Sequence, residues 1–150
     1  MGAMEQWREI PGYPELEAST LGQIRRGAEI LPTSSGGQGK NGYLKVYVQG
    51  RPNRIRQRVH VLVARTWLGD PEGRQVRHLN GDKRDNRLTN LAYGTNRENV
   101  DDMVRHGTHW QLQKTHCPAG HLLAGDNLMP SQLKRGWRAC LTCDRERKQK

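Results

Sequence analysis

All three cysteines of this 150-residue chain fall into two close pairs near its C-terminal end, and one pair includes a histidine. Cys117-Pro118-Ala119-Gly120-His121 gives a C-x3-H spacing, and Cys140-Leu141-Thr142-Cys143 gives C-x2-C. Two pairs of adjacent ligands, brought together by an intervening loop, are what tetrahedral Zn²⁺ requires. An odd number of thiols without an export signal argues against a disulfide framework. Gly120 and Gly136 ease the turns, whereas His109 and His116 fit the spacing less well. Residues 115–145 are therefore expected to fold around a structural zinc, and the chain before them must build a core of its own.

That core has little material. Only 33% of the chain is apolar and there is no Phe, so the length supports one domain or two very small ones. No apolar run approaches the roughly 20 residues of a membrane span. The start carries neither the basic patch nor the apolar stretch of a signal peptide; Met1-Gly2-Ala3-Met4 reads as a cloning remnant ahead of Met4. The expected protein is thus neither secreted nor membrane-bound, and its expected location is the cytoplasm. Lys and Arg number 25 against 15 Asp and Glu, a formal net charge of +10. Such a balance points to a polyanionic partner, nucleic acid first, because each neutralised phosphate releases a counterion.

Residues 5–58 read as short strands and turns. Leu16 to Ala18, Gln23 to Arg25 and Tyr43 to Val48 are candidate strands, broken by Pro11-Gly12, Leu21-Gly22 and a polar stretch from Thr33 to Gly42. Within it, Gly36-Gly37-Gln38-Gly39-Lys40-Asn41 is no phosphate loop: Ser34 stands where the first Gly belongs and Asn41 where Ser or Thr must follow. Arg54, Arg56 and Arg58 alternate with Ile55, Gln57 and Val59, which at strand period puts three guanidinium groups on one face. That face suits phosphates or plain solvent equally well. Val59, Leu62, Val63 and Trp67 then form one helical stripe, stopped by Gly69-Asp70-Pro71. His60, beside the stripe, reads as a hydrogen-bonded structural residue.

Residues 75–107 carry the chemistry. Val76-Arg77-His78-Leu79 is a candidate strand followed by the turn signal Asn80-Gly81, a polar loop from Asp82 to Arg87, and a return strand from Leu88 to Leu91. Thr95-Asn96-Arg97-Glu98 is a capping box that starts a helix running to His106 and ending at Gly107. His78 closes the first strand, Asn90 sits in the second, and Asn99 lies in the first helical turn.

The motifs Trp7-Arg8-Glu9-Ile10-Pro11-Gly12-Tyr13 and Ser19-Thr20-Leu21-Gly22-Gln23-Ile24-Arg25 are similar to a modular motif that precedes certain nucleases. Val59-His60-Val61-Leu62-Val63-Ala64, with the run from Val76 to Leu91, resembles the nuclease module itself, that of phage-type HNH homing endonucleases in the ββα-metal (His-Me finger) superfamily. The resemblance implies an α+β chain of small antiparallel strands in three regions: an N-terminal strand-rich modular motif region at 5–58, an HNH ββα-metal module at 59–107, and a zinc-stapled basic module at 115–145. It implies hydrolysis of double-stranded DNA, by nicking or double-strand cutting, with Mg²⁺ or Mn²⁺. His78 matches the general base, Asn90 the residue bracing the two strands, and Asn99 the helix-borne metal ligand. Monomer and homodimer both remain open, and the setting implied is a bacterial or phage-infected host cell. A non-catalytic, zinc-containing DNA-binding protein that keeps the HNH fold is the alternative. An RNA-binding zinc protein is disfavoured, since four Tyr and four Trp make a poor stacking platform.

One position departs from the family. The residue before the catalytic histidine is often an acidic metal ligand, and here it is Arg77, which cannot coordinate a cation. Three readings follow: a weakened metal site, a clamp on the scissile phosphate, or a bystander on the strand. Asp102, one turn beyond Asn99, is a candidate replacement carboxylate. The expected DNA contacts are Arg54, Arg56 and Arg58, the loop cations Lys83 and Arg84, and Arg135 and Arg138 in the zinc module, whose tail adds Lys134, Arg145, Arg147, Lys148 and Lys150.

Overall fold

The computed structural model describes residues 4–35, 42–49 and 54–149; the Gly36 to Asn41 stretch lies outside the described residues. Two compact units divide the chain, Met1–Asp102 and Met103–Lys150. Among the described residues no helix is long and apolar enough to cross a membrane.

The first unit opens with strands β1 (Trp7–Ile10), β2 (Tyr13–Ser19), β3 (Ile24–Arg26) and β4 (Glu29–Ile30), an antiparallel meander in sequence order. Strand period explains its inner face: Leu16 and Ala18 point in and are sealed, with Glu17 between them. Strands β5 (Ser34–Ser35), β6 (Leu44–Gln49) and β7 (Ile55–Arg58) form a second sheet, and β8 (Gln75–His78) pairs with β9 (Leu91–Gly94) in a third. Between the second and third lies α1 (Val59–Leu68), over the span its apolar stripe predicts, and Gly69, at φ 84°, ends it. Val59, Leu62 and Val63 are buried, and Trp67 packs against them from the edge. The Trp67 indole N–H donates to the carbonyl of Ala18 at 3.2 Å, pinning α1 to β2. One apolar cluster takes Ile10, Leu16 and Ile24 from the first sheet, Val46 from the second, the α1 stripe, and Leu91 from β9. Each such side chain contributes about 1.5–3 kcal/mol when fully buried, so the N-terminal strands and the nuclease-like strands stand on common ground.

Helix α2 (Asn96–Arg105) follows β9, and the second unit adds α3 (Trp110–Gln113), α4 (Pro130–Leu133) and α5 (Leu141–Lys148). The capping box forms as expected: the Glu98 carboxylate accepts from the Thr95 backbone N–H at 2.7 Å, and the Thr95 hydroxyl accepts from the Glu98 N–H at 3.3 Å. The return strand differs from expectation. Leu88–Asn90 is a single 3-10 turn, and pairing with β8 begins only at Leu91. Asn90 is the reason: its side chain accepts from the Asn80 backbone N–H at 2.9 Å and donates to the Asp85 carbonyl at 2.8 Å, drawing the chain into a closed loop before it can extend.

The N-terminal sheet reaches that loop directly. The Leu88 N–H donates to the Thr20 carbonyl at 2.9 Å. Gly22, at φ +85°, passes so close that an added Cβ would lie 2.6 Å from the Asn86 carbonyl carbon. Gly22→Ala should therefore destabilise the first unit by about 2 kcal/mol or more, combining left-handed backbone strain of about 1–2 kcal/mol with a steric clash. Denaturant unfolding of the variant against the parent measures this.

Candidate active site and metal centre

His78 ends β8, opposite Leu91, and is buried. Its Nε2 lies 3.2 Å from Asn86 Oδ1. An amide oxygen only accepts, so Nε2 carries the proton and Nδ1 keeps the lone pair. The ring is walled by His60 (centroids 5.0 Å apart, edge-on) and Tyr43 (5.8 Å). Burial pushes the His78 pKa below its ordinary value, against the pull of the Asn86 bond and of Asp82 and Asp85. His60 is driven further, to about 3, by burial first and then by His78 and Arg58. It is buried as a structural residue would be, yet its Nδ1 has no hydrogen-bond partner among the described residues.

The loop that carries Asn86 is held by polar groups. Arg87 donates to both Asp85 carboxylate oxygens, at 2.8 and 2.7 Å, and with Asn80 keeps Asp85 at about 2. The Asp82 carboxylate accepts from the Arg84 backbone N–H at 2.9 Å. Lys83 stands 5.3 Å from the Tyr43 ring centre, and Arg84 is exposed beside it. Asn90 ties Asn80 to Asp85 through its side chain.

Asn99 sits in the first turn of α2, and its amide N–H donates to Gln75 Oε1 at 3.2 Å, joining the helix to the start of β8. Arg77, between them in space, has a partner set that none of its three readings foresaw. Its Nε donates to Asp102 at 2.7 Å and its Nη1 meets Glu98 at 3.3 Å, with side chains only 14% exposed for Arg77 and 6% for Asp102. The Asp102 bond raises the Arg77 pKa further. A guanidinium held this way braces β8 against α2, and it engages the carboxylate that was a candidate metal ligand. Gly94 makes room for it: a Cβ there would collide with Arg77 Cδ. Sequence reasoning missed Gly94 and Asn86; Gly94 pairs with Gln75, and the Arg77 side chain reaches it across the diagonal.

Among the described residues the candidate metal clusters do not include this site. The fit for a divalent ion is therefore thin: the nearby Glu98 and Asp102 carboxylates are engaged by Arg77, which leaves the Asn99 amide oxygen as the protein ligand.

The three strand arginines are all exposed, but so is Ile55, at 41%. The clean split between charged and apolar faces is thus not realised. Tyr43 and Tyr47 organise the cations instead: Arg54 and Arg56 lie 4.4 and 5.2 Å from the Tyr47 ring centre and Arg58 5.3 Å from that of Tyr43.

In the second unit, Cys117, His121, Cys140 and Cys143 converge, with ligand atoms all within 4.8 Å of one another. Cys117 and Cys143 sulfurs are 3.6 Å apart, and His121 Nδ1 lies 3.6, 3.3 and 3.6 Å from Cys117, Cys143 and Cys140. Zinc–sulfur bonds of about 2.3 Å imply tetrahedral edges of roughly 3.7 Å, so the donors already outline that polyhedron. The other ring nitrogen of His121 points to Glu146 at 3.7 Å, as ligating histidines commonly turn their second nitrogen to a carboxylate. The Cys143 N–H and Asn127 pull the Cys140 thiol down to about 6, while neighbouring sulfurs push Cys143 up to about 12; a bound cation would stabilise the thiolate forms. Asn127, which sequence reasoning passed over, accepts from the Thr142 N–H at 3.0 Å and donates to Cys140 Sγ at 3.4 Å. Arg138, expected on DNA, donates to the carbonyls of Leu112 and Leu123 and so fastens the module from within. Arg135 is exposed.

Two antiparallel strands, a braced loop, a buried histidine and the helix after them make one strand-loop-strand-helix module. Residues 57–101 match the HNH endonuclease family. The chain is 38% identical over 108 residues to an uncharacterized HNH endonuclease of Acanthamoeba polyphaga mimivirus, covering 67% of this chain and 26% of that protein. It is also similar to the HNH homing endonuclease I-HmuI, known from work on its DNA binding and cleavage, at a TM-score of 0.59 and 29% identity, covering 69% of this chain and 60% of the other. The chain thus spans about a quarter of the viral relative's length.

Two outcomes are expected. Arg77→Ala leaves Asp102 buried without its main cation and should destabilise the first unit by about 3–5 kcal/mol. Arg77→Asp should be worse, because it sets a third carboxylate against Glu98 and Asp102; thermal melts of both variants measure the order. Purified protein should carry one zinc per chain by elemental analysis, and a chelator should unfold the second unit, since structural zinc supplies the folding energy of so small a module.

Proposed function

We propose that this chain is a DNA endonuclease in which His78 is the general base. The observation that carries this reading is the buried, neutral imidazole whose Nε2 is anchored on Asn86, leaving Nδ1 to take a proton. In the reaction, Nδ1 removes a proton from water, the water oxygen attacks phosphorus, and the bond to the 3′ oxygen breaks, leaving a 5′-phosphate and a 3′ oxyanion that takes a proton from solvent to become the hydroxyl. Asn90 keeps His78 and Asn86 in register. A Mg²⁺ or Mn²⁺ ion, held by the Asn99 amide oxygen, would supply charge stabilisation at the phosphate and the leaving oxygen. With one neutral protein ligand, that ion should bind weakly, and cleavage should need millimolar-range metal. Double-stranded DNA is the substrate that the +10 charge and the likeness to a DNA-cleaving homing endonuclease support best, with Arg54, Arg56, Arg58, Lys83, Arg84 and Arg135 as backbone contacts. A second reading, a DNA-binding protein that no longer cuts, draws on one observation: the carboxylates beside Asn99 are engaged by Arg77.

Incubating supercoiled plasmid with and without Mn²⁺ separates the two readings. His78→Ala should lower cleavage about 10²–10⁴-fold while DNA binding persists. The lowered His78 pKa sets the sign of the pH profile. The base works deprotonated, so the rate should rise with pH through a value below 6.5 and stay flat at neutral pH. A midpoint above 6.5 would contradict the burial argument.

A further inference from the structure

Beside the histidines the first unit holds a cleft of about 340 Å³ whose walls include Tyr43, Arg58, Arg65, Arg74, Tyr93 and Asn99. Three cations from three separate elements line it: Arg58 at the end of β7, Arg65 in the last turn of α1, and Arg74 just before β8. All three are exposed, and no carboxylate belongs to the lining. Arg65 and Arg74 are not among the expected DNA contacts, because nothing in their sequence neighbourhood links them to Arg58.

The cations are placed on rigid supports. Arg58 lies 5.3 Å from the Tyr43 ring centre and Arg74 5.7 Å from that of Tyr93, whose hydroxyl donates to the Gly69 carbonyl at 2.8 Å. Arg74 also donates to the Pro71 carbonyl at 3.2 Å and to Glu72 at 3.0 Å, at the rim. The cleft opens against the site already described, since Tyr43 and His60, both in its lining, also touch the His78 ring. A concave surface lined by three guanidinium groups, with Glu72 on Arg74 as the acid paired to them, has the chemistry of a phosphate seat. Its volume suits one sugar–phosphate unit and not a duplex.

We propose that this cleft holds one internal backbone phosphate of the DNA strand being cut, a neighbour of the scissile phosphate, through Arg58, Arg65 and Arg74. The proposal rests on the nuclease reading for its substrate. It adds a second anchored phosphate, which sets where along the strand the bond beside His78 must lie. The fixed seat substitutes for guidance that the engaged Arg77 does not give.

Phosphate-ethylation interference tests it in the zinc-loaded full chain, scored by binding and not by cutting. Each ethyl group removes the charge of one phosphate. With wild-type protein, ethylation should block binding at a phosphate within a few positions of the cleaved bond. In Arg65→Gln/Arg74→Gln that one position should stop interfering while all others remain, affinity should fall about tenfold or more, and the plot of log affinity against log salt should become shallower by about 1. Each single variant repeats the measurement if the double variant melts early. An interference pattern unchanged by the substitutions overturns the proposal, as does interference confined to a 5′-terminal phosphate. Binding with the expected interference but no cleavage under any metal would overturn the nuclease reading alone. Failure of the wild-type protein to bind DNA would overturn both.

Discussion

Helix α1 buries one stripe against three sheets that have no strand in common. Val59, Leu62 and Val63 supply the stripe, and the packing fixes β1 and β2 on one side, β6 and β7 on another, and β8 and β9 on a third. Because the same helix carries His60 against the His78 ring, the position of the candidate base is set by the core and not by its own short strand. A two-stranded sheet of four residues each would be marginal alone. Pressed on α1, it holds a side chain to the accuracy that proton transfer demands.

Elsewhere the chain has too few apolar residues to rely on packing, and polar closure takes over. Asn80, Asp85, Asn86, Arg87 and Asn90 bind one another or the backbone around a single loop. Arg77, Glu98 and Asp102 do the same between β8 and α2. Such networks stiffen where their members are satisfied, and in the loop Asn86 Nδ2 is the buried polar atom that finds no partner among the described residues. The second unit repeats the strategy with four metal-type ligands and Asn127 in place of a core.

Local features were legible in the sequence, and long-range ones were not. The bounds of α1 followed from the spacing of Val59, Leu62, Val63 and Trp67 and from Gly69. The capping box at Thr95 and Glu98, and the convergence of Cys117, His121, Cys140 and Cys143, followed from spacing too. The partners of Arg77 did not, because they lie 21 and 25 positions away on another element and no local pattern links them. The start of the return strand was misplaced by three residues because Asn90 closes a loop that propensity alone would extend. The role of Gly94 depends on the path of the Arg77 side chain, which crosses to it diagonally from two residues along β8, and only the register of β8 and β9 reveals this.

The approach of Gly22 to Asn86, with the Leu88 N–H resting on the Thr20 carbonyl, bears on how far the HNH-like part is modular. By family similarity that segment is 57–101, the extent of a cassette that recombination could graft onto another chain. Excised at those limits, the segment would lose most of the buried apolar cluster around α1 and the turn that buttresses the loop beneath His78. Exchange between genes would succeed only when the break fell upstream of the first sheet, so the strands at 7–30 should travel with the histidine as one heritable block.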